Sequence, residues 1–194
     1  MKLKRIISIL LLACLLVLLA PTSLASTSFS DVNETDWYYN QIMAMTEKGL
    51  FKGKGNNMFC PNDTMTKAEF IAVLVRTLYP EKDLTARDGE PWWGPVYNEA
   101  VNANIITWIY TGRSINQSNM LYVKSAAMEE VVTRQEMAAL VVRTLMARGE
   151  TLPEPYMYVG DYTTADKLAV ASIRLAYAAG IIVGDEYGRF ENYV

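Results

Sequence analysis

Two near-copies of one helix opening, Thr66-Lys67-Ala68-Glu69 and Thr133-Arg134-Gln135-Glu136, limit what this chain can fold into more than any other feature. Each reads as a Thr-x-x-Glu capping box, in which the threonine hydroxyl accepts from the N3 amide and the glutamate accepts from the N-cap amide. The segments Thr66–Leu78 and Thr133–Leu145 are both 13 residues long and share seven identical positions. Those positions are the Thr, the Glu, and then Ala72, Val75, Arg76, Thr77 and Leu78 against Ala139, Val142, Arg143, Thr144 and Leu145. Two helices this alike, 67 residues apart, are an internal repeat. In a repeat the functional question is which surface the stacked units build.

Each copy has the same upstream order. Trp37-Tyr38 stands 12 residues before Gly49-Leu50-Phe51, as Trp92-Trp93 stands 12 before Asn104-Ile105-Ile106. Trp37, Tyr38, Ile42 and Met45 recur at helical spacing and predict one apolar face on a first helix, which Gly49 ends. After Gly49-Leu50-Phe51-Lys52-Gly53 and Phe59-Cys60-Pro61, the Thr66 helix should turn Phe70, Ile71, Leu74, Val75 and Leu78 inward before Pro80 closes it. The connection from Tyr110 to about Ser125 is longer and polar and reads as a surface loop. A third unit opens near Tyr158-Val159-Gly160-Asp161, with a helix expected over about Thr164 to Ala179 and then Gly180-Ile181-Ile182-Val183-Gly184. No third capping box follows, so this unit reads as half a repeat. The periodic segments are all helical, which predicts an all-α domain of helix–loop–helix units. The boundaries are 29–80, 88–149 and a partial 156–194 within a mature domain 26–194.

Residues 1–25 read as a signal peptide, with basic Met1-Lys2-Leu3-Lys4-Arg5, an apolar run from Ile6 to Ala20, and Ser23-Leu24-Ala25 for the peptidase. The apolar run falls short of the ~20 residues that span a bilayer. Leu11-Leu12-Ala13-Cys14 also resembles a lipobox, but five of the six residues after Cys14 are Leu or Val, so cleavage after Ala25 is the favoured reading. Losing Lys2, Lys4 and Arg5 leaves 15 basic residues against 21 acidic ones, which argues against nucleic acid or an anionic membrane as partner. The mature chain keeps one cysteine, Cys60, and forms no internal disulfide. With no histidine, the commonest general base and zinc ligand are absent, and no metal or cofactor is expected.

This ordered set resembles the S-layer homology (SLH) family. Asp31-Val32, Trp37, Gly49 to Gly53, Phe59-Cys60-Pro61 and Thr66-Lys67-Ala68-Glu69 follow the family's order in one unit. The resemblance implies a pseudo-threefold helical domain whose grooves between repeats hold a secondary cell-wall polysaccharide, often through a pyruvylated amino sugar. It also implies a cell-wall or S-layer location and a non-catalytic role, with Gly53 among the binding positions. The chain departs from the pattern at Lys67 for arginine, at Asn104 with its long loop, and at the missing last helix.

Thr66, Glu69, Thr133 and Glu136 are accounted for by helix capping. Lys67 and Arg134 are not, because a cation in the first helical turn meets the positive end of the helix dipole at a cost of ~0.3–1 kcal/mol. They are either surface cations paired with a nearby acid or ligands for an external carboxylate. Arginine grips a carboxylate in bidentate fashion where lysine offers a point charge, which favours Arg134 over Lys67. Trp37, Trp92 and Trp93 sit at helix starts, where an indole either packs into core or stacks on a sugar. Two adjacent tryptophans cannot both point inward, so Trp92 or Trp93 should be accessible. Arg76 and Arg143 read as dipole and surface partners. A glycan hydrolase using paired acids such as Asp31, Asp36, Asp161 and Asp185 is disfavoured, since turn chemistry explains them and no unique pair stands out. The alternative to sugar binding is a structural module for another envelope protein, docking through an exposed face of Leu168, Ile173, Leu175 and Tyr177.

Overall fold

Among the described residues there are five α-helices: α1 (Tyr39–Glu47), α2 (Lys67–Leu78), α3 (Gly94–Asn102), α4 (Arg134–Ala147) and α5 (Val170–Ala178). The computed structural model describes residues 28–106, 125–155, 169–184 and 190. Among these there is no strand, only isolated bridges pairing Gly55 with Met58 and Thr66 with Val131. The fold is all-α. The signal segment, the Tyr110–Ser125 loop apart from Ser125, Asp161, the expected helix start at Thr164, Leu168 and Asp185 lie outside the described residues.

The helices start in two ways. Thr66 and Thr133 both sit in extended backbone and close full capping boxes on Glu69 and Glu136. α1 and α3 have no side-chain cap, and α3 carries Pro95 in its first turn instead. The ends are more uniform. Gly49, Asn104, Gly149 and Gly180 all adopt positive φ, at 71°, 57°, 77° and 67°. Behind each, the next amide reaches back five residues: Leu50 to Met45, Ile105 to Ala100, Glu150 to Leu145 and Ile181 to Ala176, at 2.9–3.0 Å. This is a Schellman ending, which needs a left-handed residue that glycine, or next best asparagine, supplies. Asn104, a departure from the family pattern in sequence, therefore keeps the same turn.

The principal core forms where α2 meets α3 and α4. Ala68, Ile71, Ala72 and Val75 of α2 repeat at helical spacing and are buried with Val96 and Ala100 of α3 and Leu140 of α4. Ile105 and Ile106, directly after the Asn104 turn, are fully buried in the same cluster. Phe70, Leu74 and Leu78 pack half-buried around it. A second cluster joins Ala138 and Val142 of α4 to Ile173 and Ala176 of α5 and to Phe190. A small third one holds Phe29, Val32 and Ile42.

Two expectations are corrected. The first helix begins at Tyr39, not at Trp37, so the apolar stripe shifts: only Ile42 of α1 is buried, while Trp37 and Met45 are exposed. The helix of the third unit, α5, was expected to leave Ile173, Leu175 and Tyr177 uncovered. Instead Ile173 is fully buried against α4, and Leu175 and Tyr177 pack half-buried against the same cluster.

Candidate functional site

The candidate site starts from one aspartate. Asp31 accepts from the Phe59 amide at 2.8 Å and the Cys60 amide at 2.6 Å. Those backbone donors, the Phe59 amide foremost, hold its carboxyl below the ordinary value despite the opposing effect of desolvation. The clamp sets the Phe59-Cys60-Pro61 turn, with Cys60 at φ 60°. The Asp-Val and Phe-x-Pro motifs, 28 residues apart in sequence, are one structural device.

Gly53 is fixed by packing. At φ 68°, a Cβ there would lie 2.5 Å from the Phe29 ring and 2.7 Å from the Met58 carbonyl oxygen. The resulting close approach of backbone segments helps wall a groove of about 620 Å³, bordered by Leu50, Gly53, Lys54, Cys60, Glu69, Arg76 and Trp92. Lys54 crosses it, 3.3 Å from Asp63 and 3.7 Å from Glu69. Arg76 is half-buried and donates through Nη1 to the Leu50 carbonyl at 3.0 Å. Burial pushes its guanidinium below the usual value, and it forms no ion pair among the described residues.

Arg143 mirrors this in the second copy, donating through Nε to the Asn104 carbonyl at 3.0 Å and likewise pushed down by burial. The reading of Arg76 and Arg143 as surface partners is corrected. Each ties a second helix to the C-terminal turn of the helix before it. Their identity in the two copies was the available signal.

The two first-turn cations differ. Lys67 is only 8% exposed, with Nζ 2.8 Å from Glu130 Oε2 and 3.0 Å from Glu136 Oε1. Burial works against its charge, but the two carboxylates prevail and hold the ammonium above its ordinary value. Arg134 is half-buried at the N-terminal end of α4. Its Nη2 donates to the Val183 carbonyl at 3.0 Å, and its guanidinium carbon lies 5.2 Å from the Phe190 ring centroid. Its Nε is shielded from solvent and has no hydrogen-bond partner among the described residues.

The tryptophans also separate. Trp92 is 45% exposed and faces the groove, whereas Trp93 is half-buried, packs on the principal core and meets Tyr97 edge-on at 6.2 Å. Trp37 stands 84% exposed, edge-on to Tyr38 at 5.3 Å, and so is not a core residue. Gly53 and Trp92 thus share one groove, while Lys67 is tied to Glu130 and to Glu136 of α4, and Arg134 to Val183 and Phe190. Among the described residues no acidic, cysteine or histidine cluster has metal-binding geometry, and no helix is long and apolar enough to cross a membrane.

Comparison with known proteins finds relatives that match parts of this sequence. An endoglucanase from Bacillus sp. (strain KSM-635) is 28% identical over 208 residues, covering 98% of this chain and 21% of that protein. The surface-layer 125 kDa protein of Lysinibacillus sphaericus is 32% identical over 124 residues, covering 61% of this chain and 10% of that protein. An Acetivibrio thermocellus exoglucanase, XynX, is 40% identical over 63 residues, 30% of this chain and 6% of that protein. The chain therefore spans about a fifth or less of the length of these relatives. The family model described as S-layer homology domain matches residues 28–71, which take in the Asp31 clamp, the Gly49–Gly53 turn and the first capping box. Residues 28–71 of this chain are therefore similar to an S-layer homology domain.

Proposed function

We propose that this chain is a non-catalytic module that holds itself, or a protein associated with it, on a secondary cell-wall polysaccharide of a Gram-positive-type envelope. An S-layer homology domain is an anchoring module at the cell surface, and that coarser role is carried by the match over residues 28–71 together with the surface-layer relative. The enzymes among the relatives extend far beyond the matched segment. The finer reading is a pyruvylated amino sugar bound between repeats 29–80, 88–149 and 156–194.

In this reading Arg134 grips the ketal-linked carboxylate. It supplies a cation at a helix N-terminus, with one guanidinium nitrogen already anchored on Val183 and no carboxylate competing among the described residues. Trp92 and Gly53 line the first groove, and Trp37 offers an open ring for stacking on a sugar face. Lys67 serves as a point charge and Trp93 as the support behind Trp92. The observation that supports the reading is the second capping box placed beside a cation that has no acidic partner among the described residues. Mature protein should sediment with cell-wall sacculi that retain their polysaccharide and stay in solution with sacculi stripped of it. Sedimentation with neither would overturn the proposal. The competing protein-docking reading loses its main support, since the apolar face of α5 is covered by α4.

A further inference from the structure

The first turn of α2 is sealed from within. The Lys67 amide donates to the Glu130 carbonyl at 2.9 Å, the Ala68 amide to the Met128 carbonyl at 2.8 Å, and the Glu69 amide to the Thr66 hydroxyl at 3.2 Å. No free amide remains there to receive an anion, so the charge this end can offer is the Lys67 ammonium. That ammonium is flanked by two carboxylates of different character. Glu136 is held rigidly: its other oxygen, Oε2, accepts from the Thr133 amide at 2.9 Å and the Thr133 hydroxyl at 3.0 Å, and its side chain is 19% exposed. Glu130 has no such fixing bond: its carboxylate contacts Lys67 alone among the described residues, and its side chain is 64% exposed.

We propose that Glu130 is a displaceable internal counter-ion that occupies the carboxylate position at Lys67 and gates this cation against external carboxylates. The proposal rests on the wall-binding reading only in assigning the physiological ligand; the gate itself is a property of three side chains. Only the Glu130 half of the pair is exposed, so that carboxylate regains water when it leaves and can exchange, while Lys67 stays buried. Glu136 stays in place and keeps Lys67 charged and oriented, while Glu130 swings into solvent and an incoming carboxylate takes its position. The binding-competent state is then a minority, and the apparent affinity is reduced by the fraction of time that Glu130 is away. Lys67 is therefore a weaker ligand than Arg134 for a reason beyond its point charge: Arg134 has no acid to displace among the described residues.

The test uses the full mature chain and sodium pyruvate as the carboxylate probe, followed by NMR of the 15N-labelled lysine ammonium groups. Glu130→Gln keeps the size of the side chain and leaves the backbone carbonyl that binds the Lys67 amide. It should tighten pyruvate binding by about tenfold, as expected if Glu130 is seated nine-tenths of the time. The gain should persist in an Arg134→Ala background and vanish with Lys67→Met. An unchanged affinity in folded Glu130→Gln overturns the gate, as does a gain that survives Lys67→Met. If both Glu130→Gln and Glu130→Ala unfold the protein, Glu130 is a required strut and the proposal also fails. Sedimentation of wild-type protein with walls is scored separately, so failure of wall binding and failure of the gate are distinguishable.

Discussion

Replacing Arg134 by alanine separates a ligand role from a structural one, because the structure bounds what the residue contributes to folding. Its Nη2 hydrogen bond to the Val183 carbonyl, at 3.0 Å and part-exposed, is worth ~0.5–1.5 kcal/mol. The contact with the Phe190 ring at 5.2 Å adds ~0.5–1 kcal/mol. Against these stands the relief of removing a cation from the positive end of α4, ~0.3–1 kcal/mol. The net cost is about 1 kcal/mol, or a fall in melting midpoint of ~2–4 °C for a chain of this size. Gripping a wall carboxylate through a charge-assisted bond is worth ~1.5–3 kcal/mol, which predicts a loss of wall affinity of about tenfold or more. The assay is a sedimentation isotherm on polysaccharide-bearing sacculi, corrected to folded protein by urea unfolding of the same sample. If Arg134→Ala costs several kcal/mol of stability while binding per folded molecule is unchanged, the residue is a strut for Val183 and Phe190 and the site assignment is wrong.

Thr133→Ala is the matched control and should cost ~0.5–2 kcal/mol through the lost cap, with binding per folded molecule unaltered; a specific binding defect would give the cap a ligand role. Gly53→Ala should destabilise by ~1–3 kcal/mol, since positive φ and the contacts at Phe29 and Met58 both oppose a Cβ; chemical denaturation showing no change would contradict the packing described. Asp31 has a folded pKa below its ordinary 3.8, so its contribution is present above that value and lost as pH falls through the lower folded value. Acid titration of stability should flatten in that window for Asp31→Asn, and an identical profile in both proteins would remove the clamp from the account. Asn104→Gly should be neutral or stabilising by up to ~1 kcal/mol, because φ 57° is a left-handed position; a clear loss of stability would mean that the asparagine side chain has its own role.

Local chemistry was legible in the sequence and long-range pairing was not. Both capping boxes could be read because threonine and glutamate three residues apart carry the whole device. The helix ends at Gly49 and Gly180 were legible for the same reason, as was the accessibility of one member of Trp92-Trp93. Trp37 was misplaced because an aromatic spaced correctly for a helix face stands just outside the helix, where the 3.6-residue period no longer decides direction. Arg76 and Arg143 were read as surface groups because their partners are backbone carbonyls 26 and 39 residues earlier, which carry no side-chain signature. The partner of Lys67 is hidden in the same way: Glu130 lies 63 residues downstream, and nothing in its neighbours marks it. The expected exposure of α5 failed because the covering surface comes from α4, not from the helix missing in sequence.

The seam between Met65 and Val132 has a consequence for how this chain is cut. Val132 donates to the Met65 carbonyl at 3.0 Å, and the two amides that follow Thr66 in α2 are completed by the carbonyls of Met128 and Glu130. A segment in the second copy thus finishes the helix of the first, so the unit that recurs in sequence is not the unit that folds. A fragment ending at residue 80 would expose those amides to solvent together with the buried flank of Ala68 and Ile71. Folding should be cooperative across the copies, with residues 125–132 serving as a hem that binds two panels together. Excising or transplanting a single copy would unpick it.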